Sequence, residues 1–348
     1  MANNNSENIY WIDSLRVLAA FGVIILHASA GSLHQYGNIT DIEWQVANIY
    51  NSFVRFCVPI FLMISGTLIF SKTYNSIWEY LKKRVLRLLY PFLFWSLIYI
   101  AKELFVKFHQ GENLTFIEII NFIFINFKDG ASYHLWYIYL IIGLYLFFPI
   151  IGKWINRSNK NEIKYFLGIW FLTLFAHFSF VEKILPGIEI SYFSGFIGLP
   201  VLGYYLSKTD FNFKWKKTTY FLLFFIGILV TIFAVYFFTG RIGRYHEGFH
   251  NYLSINIVLM SVVVFLFFKD YVKFNSKTST VVLFISKYSY GIYLIHVFAF
   301  WIIESLFFPF SSVNPIIGIP VISILSLIVS TLISFGISKL PLGKYISG

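Results

Sequence analysis

Charged residues are scarce in this sequence. Asp, Glu, Lys and Arg make up 12% of the 348 residues, whereas 58% are hydrophobic and 22% are aromatic, and the mean hydropathy is +0.71. A water-soluble fold has too little interior to hide that much apolar surface, so the composition predicts an integral membrane protein. The apolar residues form long blocks instead of the short alternating segments of a β-barrel, which predicts an all-α bundle.

Several chemical signatures are also missing. Cys57 is the one cysteine, which excludes an internal disulfide. No P-loop, GxGxxG or GxSxG pattern occurs, so coupling to nucleotide hydrolysis is not indicated. His246 and His250 would suit a metal only on a helix with a third ligand, and since the sequence offers none, no metal is predicted and the connection 241–250 is expected to be a solvated loop. No Lys or Arg precedes the first apolar block, so a cleaved signal is not indicated.

Ten apolar blocks are long enough to cross a bilayer. They leave no room for a separate soluble domain, so residues 1–348 are predicted to form a single integral-membrane domain with about ten transmembrane helices. A shorter apolar segment, 116–127, is expected to be interfacial or re-entrant. The predicted spans cover residues 11–33, 46–70, 85–106, 133–151, 164–180, 191–207, 217–239, 251–269, 281–306 and 314–339.

The net charge of +11 is distributed unevenly between the connections. Lys and Arg are concentrated around residues 72–87, 153–164, 208–217, 269–277 and 339–344, and the connections that alternate with these are poorer. By the positive-inside rule the richer side is cytoplasmic, so both termini are predicted to be cytoplasmic. The excess positive charge is therefore a topology signal, and it predicts contact with the anionic lipid bilayer and not with nucleic acid.

The first predicted span carries Arg16 and His27. A charged group inside the membrane costs about 3 kcal/mol, so such residues usually face a bundle interior or a wet cavity. The two residues are close to three turns and about 16 Å apart, so both point to nearly the same helix face. A neutral His27 could act as a general base. The alternatives are a packing histidine and a boundary anchor, and Asp13 could pair with Arg16 or cap the helix.

Two further patterns lie in the second and third spans. Pro59 and the pair Ser65 and Gly66 allow a kink and a close approach of another helix, or serve packing alone. Arg84 and Arg87 lie one turn apart at the predicted cytoplasmic start of the third span. Two guanidinium groups at that spacing can clamp phosphate oxygens, and ordinary positive-inside anchoring is the alternative.

Five more residues are candidate substrate contacts in the predicted outer half of the bundle. Arg55 lies inside the second span, where it either lines a cavity or serves as an anchor. His134 and Trp136 open the fourth span, where they suit an aromatic belt or a platform for a sugar ring or acyl chain. His296 and Glu304 lie in the ninth span, where a satisfied interior histidine is the alternative for His296.

The order of these blocks resembles the acyltransferase 3 family of membrane proteins. The resemblance runs from about residue 10 to residue 340, and the opening resembles members that O-acetylate surface polysaccharides. The matching segments are WIDSLRVLAAFGVIILH (11–27), PIFLMISG (59–66), RVLR (84–87), HLWY (134–137), GYYL (203–206) and SYGIYLIH (289–296).

The resemblance implies transfer of an acyl group, usually acetyl from acetyl-CoA, to a hydroxyl of a glycan, a lipid-linked saccharide or another envelope molecule at the bacterial cytoplasmic membrane. It implies that His27 is the essential histidine, Arg16 the essential arginine, and Arg84 and Arg87 the paired arginines of the family. An exporter or flippase of a polysaccharide is the main alternative, disfavoured by the lack of an obvious internal repeat. A membrane sensor or assembly factor is the third.

Overall fold

The computed structural model describes residues 3–72, 74, 76–175, 195–274, 276–307, 309–310 and 313–348. This part of the chain is almost entirely helical and contains no β-strand, so the predicted all-α class is confirmed. The helices are α1 (Asn3–Leu33), α2 (Asp41–Val54), α3 (Cys57–Phe70), α4 (Ile77–His109), α5 (Phe116–Asp129), α6 (Trp136–Arg157), α7 (Lys160–Leu174), α8 (Gly198–Ser207), α9 (Lys216–Ile242), α10 (Ile255–Tyr271), α11 (Ser276–Lys287), α12 (Ser289–Leu306) and α13 (Pro315–Ser338).

Within the described residues, eight segments are long and apolar enough to cross a membrane. This confirms a polytopic helix bundle, while the count of ten and the cytoplasmic termini stay predictions. The predicted spans 164–180 and 191–207 extend into residues 176–194, which lie outside the described residues. The segment predicted to be interfacial or re-entrant forms α5, none of whose side chains is buried.

The chain divides into two compact units, each built from separate stretches of sequence. Unit 1 comprises Met1–Thr73, Ile150–Lys287 and Phe308–Leu325, and unit 2 comprises Tyr74–Pro149, Tyr288–Phe307 and Ser326–Gly348. Unit 1 therefore contains α1, α2, α3 and α7 to α11, and unit 2 contains α4, α5 and α12. The chain passes from one unit to the other within α6 and within α13.

The second predicted span is one apolar segment interrupted at Arg55 and Phe56. Helix α2 begins with a capping box between Thr40 and Glu43 and ends at Val54, and α3 starts at Cys57. Pro59 explains the break, because it has no N–H to donate to the carbonyl of Arg55 four residues earlier. Arg55 and Phe56 keep right-handed helical dihedral angles, so Arg55 lies at the junction between the two helices.

The ninth predicted span, 281–306, is two helices in the structure. Tyr288 separates α11 from α12 with φ −99° and ψ 7°, which lies outside the helical range. The hydroxyl of Tyr288 lies 3.2 Å from that of Ser338, and Gly291 packs against the main chain of Ser347 within unit 2. These contacts hold the start of α12, and hydropathy alone gave no sign of the break.

Close helix packing in unit 1 centres on α3 and α8. A Cβ at Gly66 would overlap the carbonyl of Pro200, and a Cβ at Gly203 would overlap the main chain of Met63. The two glycines thus let the helix backbones touch from both sides. The approach predicted at Ser65 and Gly66 is therefore present.

Candidate functional site

His27 lies half-buried on α1, between two residues that are bonded to α2. The amide of Asn51 donates to the carbonyl of Leu26, the residue before His27, at 3.0 Å and to the hydroxyl of Ser29 at 2.9 Å. The Ser29 hydroxyl in turn donates to the carbonyl of Ile25 at 2.8 Å. The Leu26 carbonyl before His27 and the Ser29 hydroxyl after it are therefore both bonded to α2 within unit 1.

Arg55 contacts the same Asn51 side chain through its amide oxygen. Its Nε donates to Asn51 Oδ1 at 2.6 Å and its Nη2 donates to the Tyr245 hydroxyl at 3.3 Å. Its guanidinium carbon lies 5.5 Å from the centroid of the Tyr252 ring, which is cation–π distance. Asn51 thus bridges the guanidinium of Arg55 to the backbone beside His27.

The contacts continue from Arg55 into a chain of neutral groups. The Tyr245 hydroxyl lies 2.7 Å from His250 Nδ1, and His250 Nε2 lies 2.9 Å from the Ser52 hydroxyl, which donates to Asn48 Oδ1 at 3.3 Å. We call Asn48, Asn51, Ser52, Arg55, Tyr245 and His250 the Arg55 cluster. Burial raises the pKa of Tyr245, so this hydroxyl keeps its proton in spite of the neighbouring Arg55.

The direction of these hydrogen bonds follows from Arg55, which can only donate. Because Tyr245 accepts from Arg55, its single hydrogen is left for His250 Nδ1. His250 Nε2 then carries the ring hydrogen and donates to Ser52, which in turn donates to Asn48. This assignment makes His250 a neutral imidazole with both nitrogens engaged.

The position of His250 corrects the interpretation of 241–250 as a solvated loop. Arg241, Arg244 and Glu247 are exposed, but His250 is only 1% exposed and is bonded to α2. The segment HEGFH at 246–250 also has the spacing of a zinc protease helix, yet here it is a non-helical stretch that ends in a 3-10 turn. Within the described ranges no three His, Cys, Asp or Glu side chains group as metal ligands.

One signal for the Arg55 cluster was present in the sequence. Asn48, Asn51, Ser52 and Arg55 follow a three-to-four-residue spacing, which puts all four on one face of the segment 46–55, whose other residues are apolar or aromatic. A polar face inside a membrane span indicates an internal partner. The pattern contains no indication that the partners would be Tyr245 and His250.

Arg16 is part of a second polar group in unit 1. Its Nη1 lies 2.7 Å from Asp13 Oδ1, which is the predicted pair, and it also donates to the Ser286 hydroxyl at 2.9 Å. Ser286 donates to the same Asp13 oxygen at 2.6 Å. The three side chains form a closed triangle that ties the first half of α1 to the end of α11.

The predicted donor-binding arginines belong to unit 2. Arg84 is half-buried and its Nε donates to the Tyr74 hydroxyl at 3.2 Å, whereas Arg87 is exposed one turn later on α4. The Tyr74 ring packs edge-on against Tyr80, with ring centroids 4.9 Å apart. Arg84 is thereby oriented by a neutral aromatic hydroxyl.

The other predicted contacts in unit 2 are only partly brought together. His134 and His296 are buried with ring centroids 4.9 Å apart, and the Tyr293 hydroxyl donates to the His134 carbonyl. Trp136 is 37% exposed and Glu304 is also exposed. The structure thus pairs the two histidines.

A cavity of about 330 Å³ lies beside this histidine pair in unit 2. Ser132, which lines it, has its hydroxyl 3.0 Å from His134 Nδ1. Lys102 and Glu103, also in the lining, form an ion pair of 2.6 Å. The other lining residues are aromatic or small: Tyr99, Phe122, Asn126, Ala131, Tyr133, Val297, Phe298 and Trp301.

Comparison with protein families gives a match that covers nearly the whole chain. Residues 9–335 match the family Acyl_transf_3, described as an acyltransferase domain. The chain belongs to this family. It is a multi-pass membrane acyltransferase. Comparisons with curated proteins and with solved structures found no significant match.

Proposed function

We propose that this acyltransferase moves an acetyl group from cytoplasmic acetyl-CoA to a hydroxyl of a cell-envelope glycan or lipid-linked saccharide in the bacterial cytoplasmic membrane. The single observation that carries the proposal is the position of His27. It is an ionisable residue on a membrane helix of an acyltransferase, and the flanking backbone is bonded to a buried polar cluster. Such a position suits catalysis better than lipid contact.

His27 has the chemistry that the transfer needs. A neutral imidazole nitrogen takes the proton of the acceptor hydroxyl while the hydroxyl oxygen attacks the thioester carbonyl carbon. The carbon–sulfur bond then breaks, the sulfur of CoA leaves as a thiolate that takes up a proton, and the acetyl group remains on the acceptor as an ester. In a two-step route, His27 itself first takes the acetyl group and then passes it to the hydroxyl.

Arg84 and Arg87 are proposed to bind the phosphates of the donor. Both lie near the start of α4, on the side that the basic connections predict to be cytoplasmic, where acetyl-CoA is made. Guanidinium groups bind phosphate oxygens through two parallel hydrogen bonds. Tyr74, which already accepts from Arg84, would orient it for that contact.

Arg16 is proposed to act through another group. Helix geometry puts it about 16 Å from His27, too far for direct contact, so it would orient His27 through water or contact the donor. Its bonds to Asp13 and Ser286 hold it in one orientation. For the acceptor, the proposed contacts remain Arg55, His134, Trp136, His296 and Glu304.

Acetyl transfer by the purified protein in nanodiscs tests the proposal. With radiolabelled acetyl-CoA and a membrane glycan extract, the wild type should move label to glycan and release CoA, and His27→Ala should lose at least about 100-fold in rate. His109→Ala, which changes an exposed histidine of α4, is the control. Label retained on the wild type but not on His27→Ala would select the two-step route.

Two results would contradict the proposal. Full activity in a folded His27→Ala variant would remove His27 from the reaction. Glycan movement across the bilayer without CoA release would favour the exporter.

A further inference from the structure

Within the part of the chain that the structure describes, the partners of the Arg55 guanidinium are all neutral. Asn51, Tyr245 and Tyr252 contact its guanidinium, and none of them is acidic. Among the described residues no carboxylate lies within 4.0 Å of its nitrogens. A half-buried cation without a counter-charge costs free energy that an anion bound beside it would recover.

The surrounding groups orient Arg55 without neutralising it. Asn51 accepts from Nε, Tyr245 accepts from Nη2, and the Tyr252 side chain also hydrogen-bonds to Arg55, which has five N–H groups in all. Because Asn51 and Tyr245 are anchored by further hydrogen bonds, the guanidinium plane is held in place. A fixed planar fork is the geometry that carboxylate and phosphate oxygens match.

The hydrogen-bond chain also selects the sign of a ligand. Every member of the Arg55 cluster other than Arg55 is neutral, so the charge of the cluster is that of the guanidinium. The exposed connection nearby carries Arg241 and Arg244 against one acid, Glu247. Local charge therefore favours an anion.

We propose that Arg55 binds an anionic group of the acceptor, a carboxylate on a sugar or a phosphate that links the saccharide to its carrier. The inference rests on the proposed acetyl transfer, whose acceptor it narrows to anionic saccharides. Asn51 connects Arg55 to the Leu26 carbonyl, which belongs to the residue before His27. An acceptor held at Arg55 would present a neighbouring hydroxyl towards His27.

Equilibrium binding in nanodiscs tests the anion site without requiring turnover. The probes are radiolabelled octyl β-glucuronide, farnesyl-diphosphate-linked N-acetylglucosamine and neutral octyl β-glucoside. The wild type should bind at least one anionic probe about tenfold or more tighter than octyl β-glucoside. Preference for the glucuronide would identify a sugar carboxylate, and preference for the diphosphate would identify the carrier.

Three variants locate the effect. Arg55→Gln should bring charged and neutral probes to within about twofold of each other, and Arg55→Lys should keep part of the preference because it retains charge but not the planar fork. Lys128→Gln, which removes an exposed positive charge of the same predicted side at the end of α5, should keep all of it. If Arg55→Gln does not fold, Arg55→Lys replaces it. A preference for anionic probes several-fold weaker than that of the wild type then supports the site, and an unchanged preference contradicts it.

Equal binding of charged and neutral probes by the wild type would overturn the proposal, as would an unchanged preference in Arg55→Gln. If the protein prefers anionic probes but transfers no acetyl group, the anion site is supported and the proposed reaction is contradicted. If the protein transfers acetyl groups but shows no anion preference, the reaction is supported and the anion site is contradicted.

Discussion

Three consecutive basic positions on α4 differ in their surroundings. Lys83 forms an exposed ion pair of 2.7 Å with Glu79, Arg84 is half-buried against Tyr74, and Arg87 is exposed. An exposed pair at this spacing contributes little to stability. Substituting the three side chains one at a time therefore distinguishes a general effect of positive charge from a specific contact with phosphate.

The donor site can be tested with these residues. Arg84→Gln and Arg87→Gln should each raise the KM for acetyl-CoA about tenfold, because each removes charge-assisted hydrogen bonds to phosphate, with little change in kcat. Lys83→Gln should leave both constants unchanged. Steady-state release of CoA measures the effect, and an equal rise in all three variants would indicate bulk electrostatics instead.

Among single residues, the sequence was most informative where partners are near in the chain. The Asp13–Arg16 pair follows from a spacing of three on one helix and is present at 2.7 Å. Ser286, which completes that triangle, lies 270 positions away from Arg16 and carried no signal. The burial of His250 gave no local signal for the same reason, since its partner Ser52 is 198 positions away.

Among the helices, the crossing of α3 and α8 depends on two glycines. Gly66 and Gly203 each face the backbone of the other helix, so the contact has no room for a side chain on either surface. The sequence indicated a small-residue contact at Gly66, but Gly203 as its counterpart came from the tertiary structure.

Substitution of these glycines should reveal that lack of space. Gly66→Ala should lower the free energy of unfolding by about 1–3 kcal/mol, because its methyl group meets the main chain of Pro200, which cannot rotate away. Gly168→Ala on α7, where no heavy atom lies within 4 Å of an added Cβ, should be neutral or slightly stabilising. Thermal unfolding in detergent compares them, and equal stability would contradict the packing described.

For the whole molecule, the distribution of basic residues predicts the orientation in the membrane. Lys82 is expected in the cytoplasm and Arg241 outside, and both are exposed. Cys57 is buried, so the labelling of an introduced cysteine can be measured without replacing Cys57.

Cysteine labelling checks this orientation. On intact spheroplasts, a membrane-impermeant maleimide should label Arg241→Cys at once and Lys82→Cys only after permeabilisation. The wild type should stay unlabelled, which controls for Cys57. The reverse pattern would place the termini outside, and labelling of both variants on intact spheroplasts would refute the alternating connections.

The sequence by itself determined the class of protein and the faces of its helices. Composition and apolar blocks predicted a helical membrane protein, ordered motifs predicted its family, and a spacing of three on one helix predicted the pair of Asp13 and Arg16. Only the tertiary structure decided which groups meet across the chain, such as His250 with Ser52 and Gly66 with Pro200. Periodicity reports the face of one helix, whereas the partner of that face depends on how distant segments pack together.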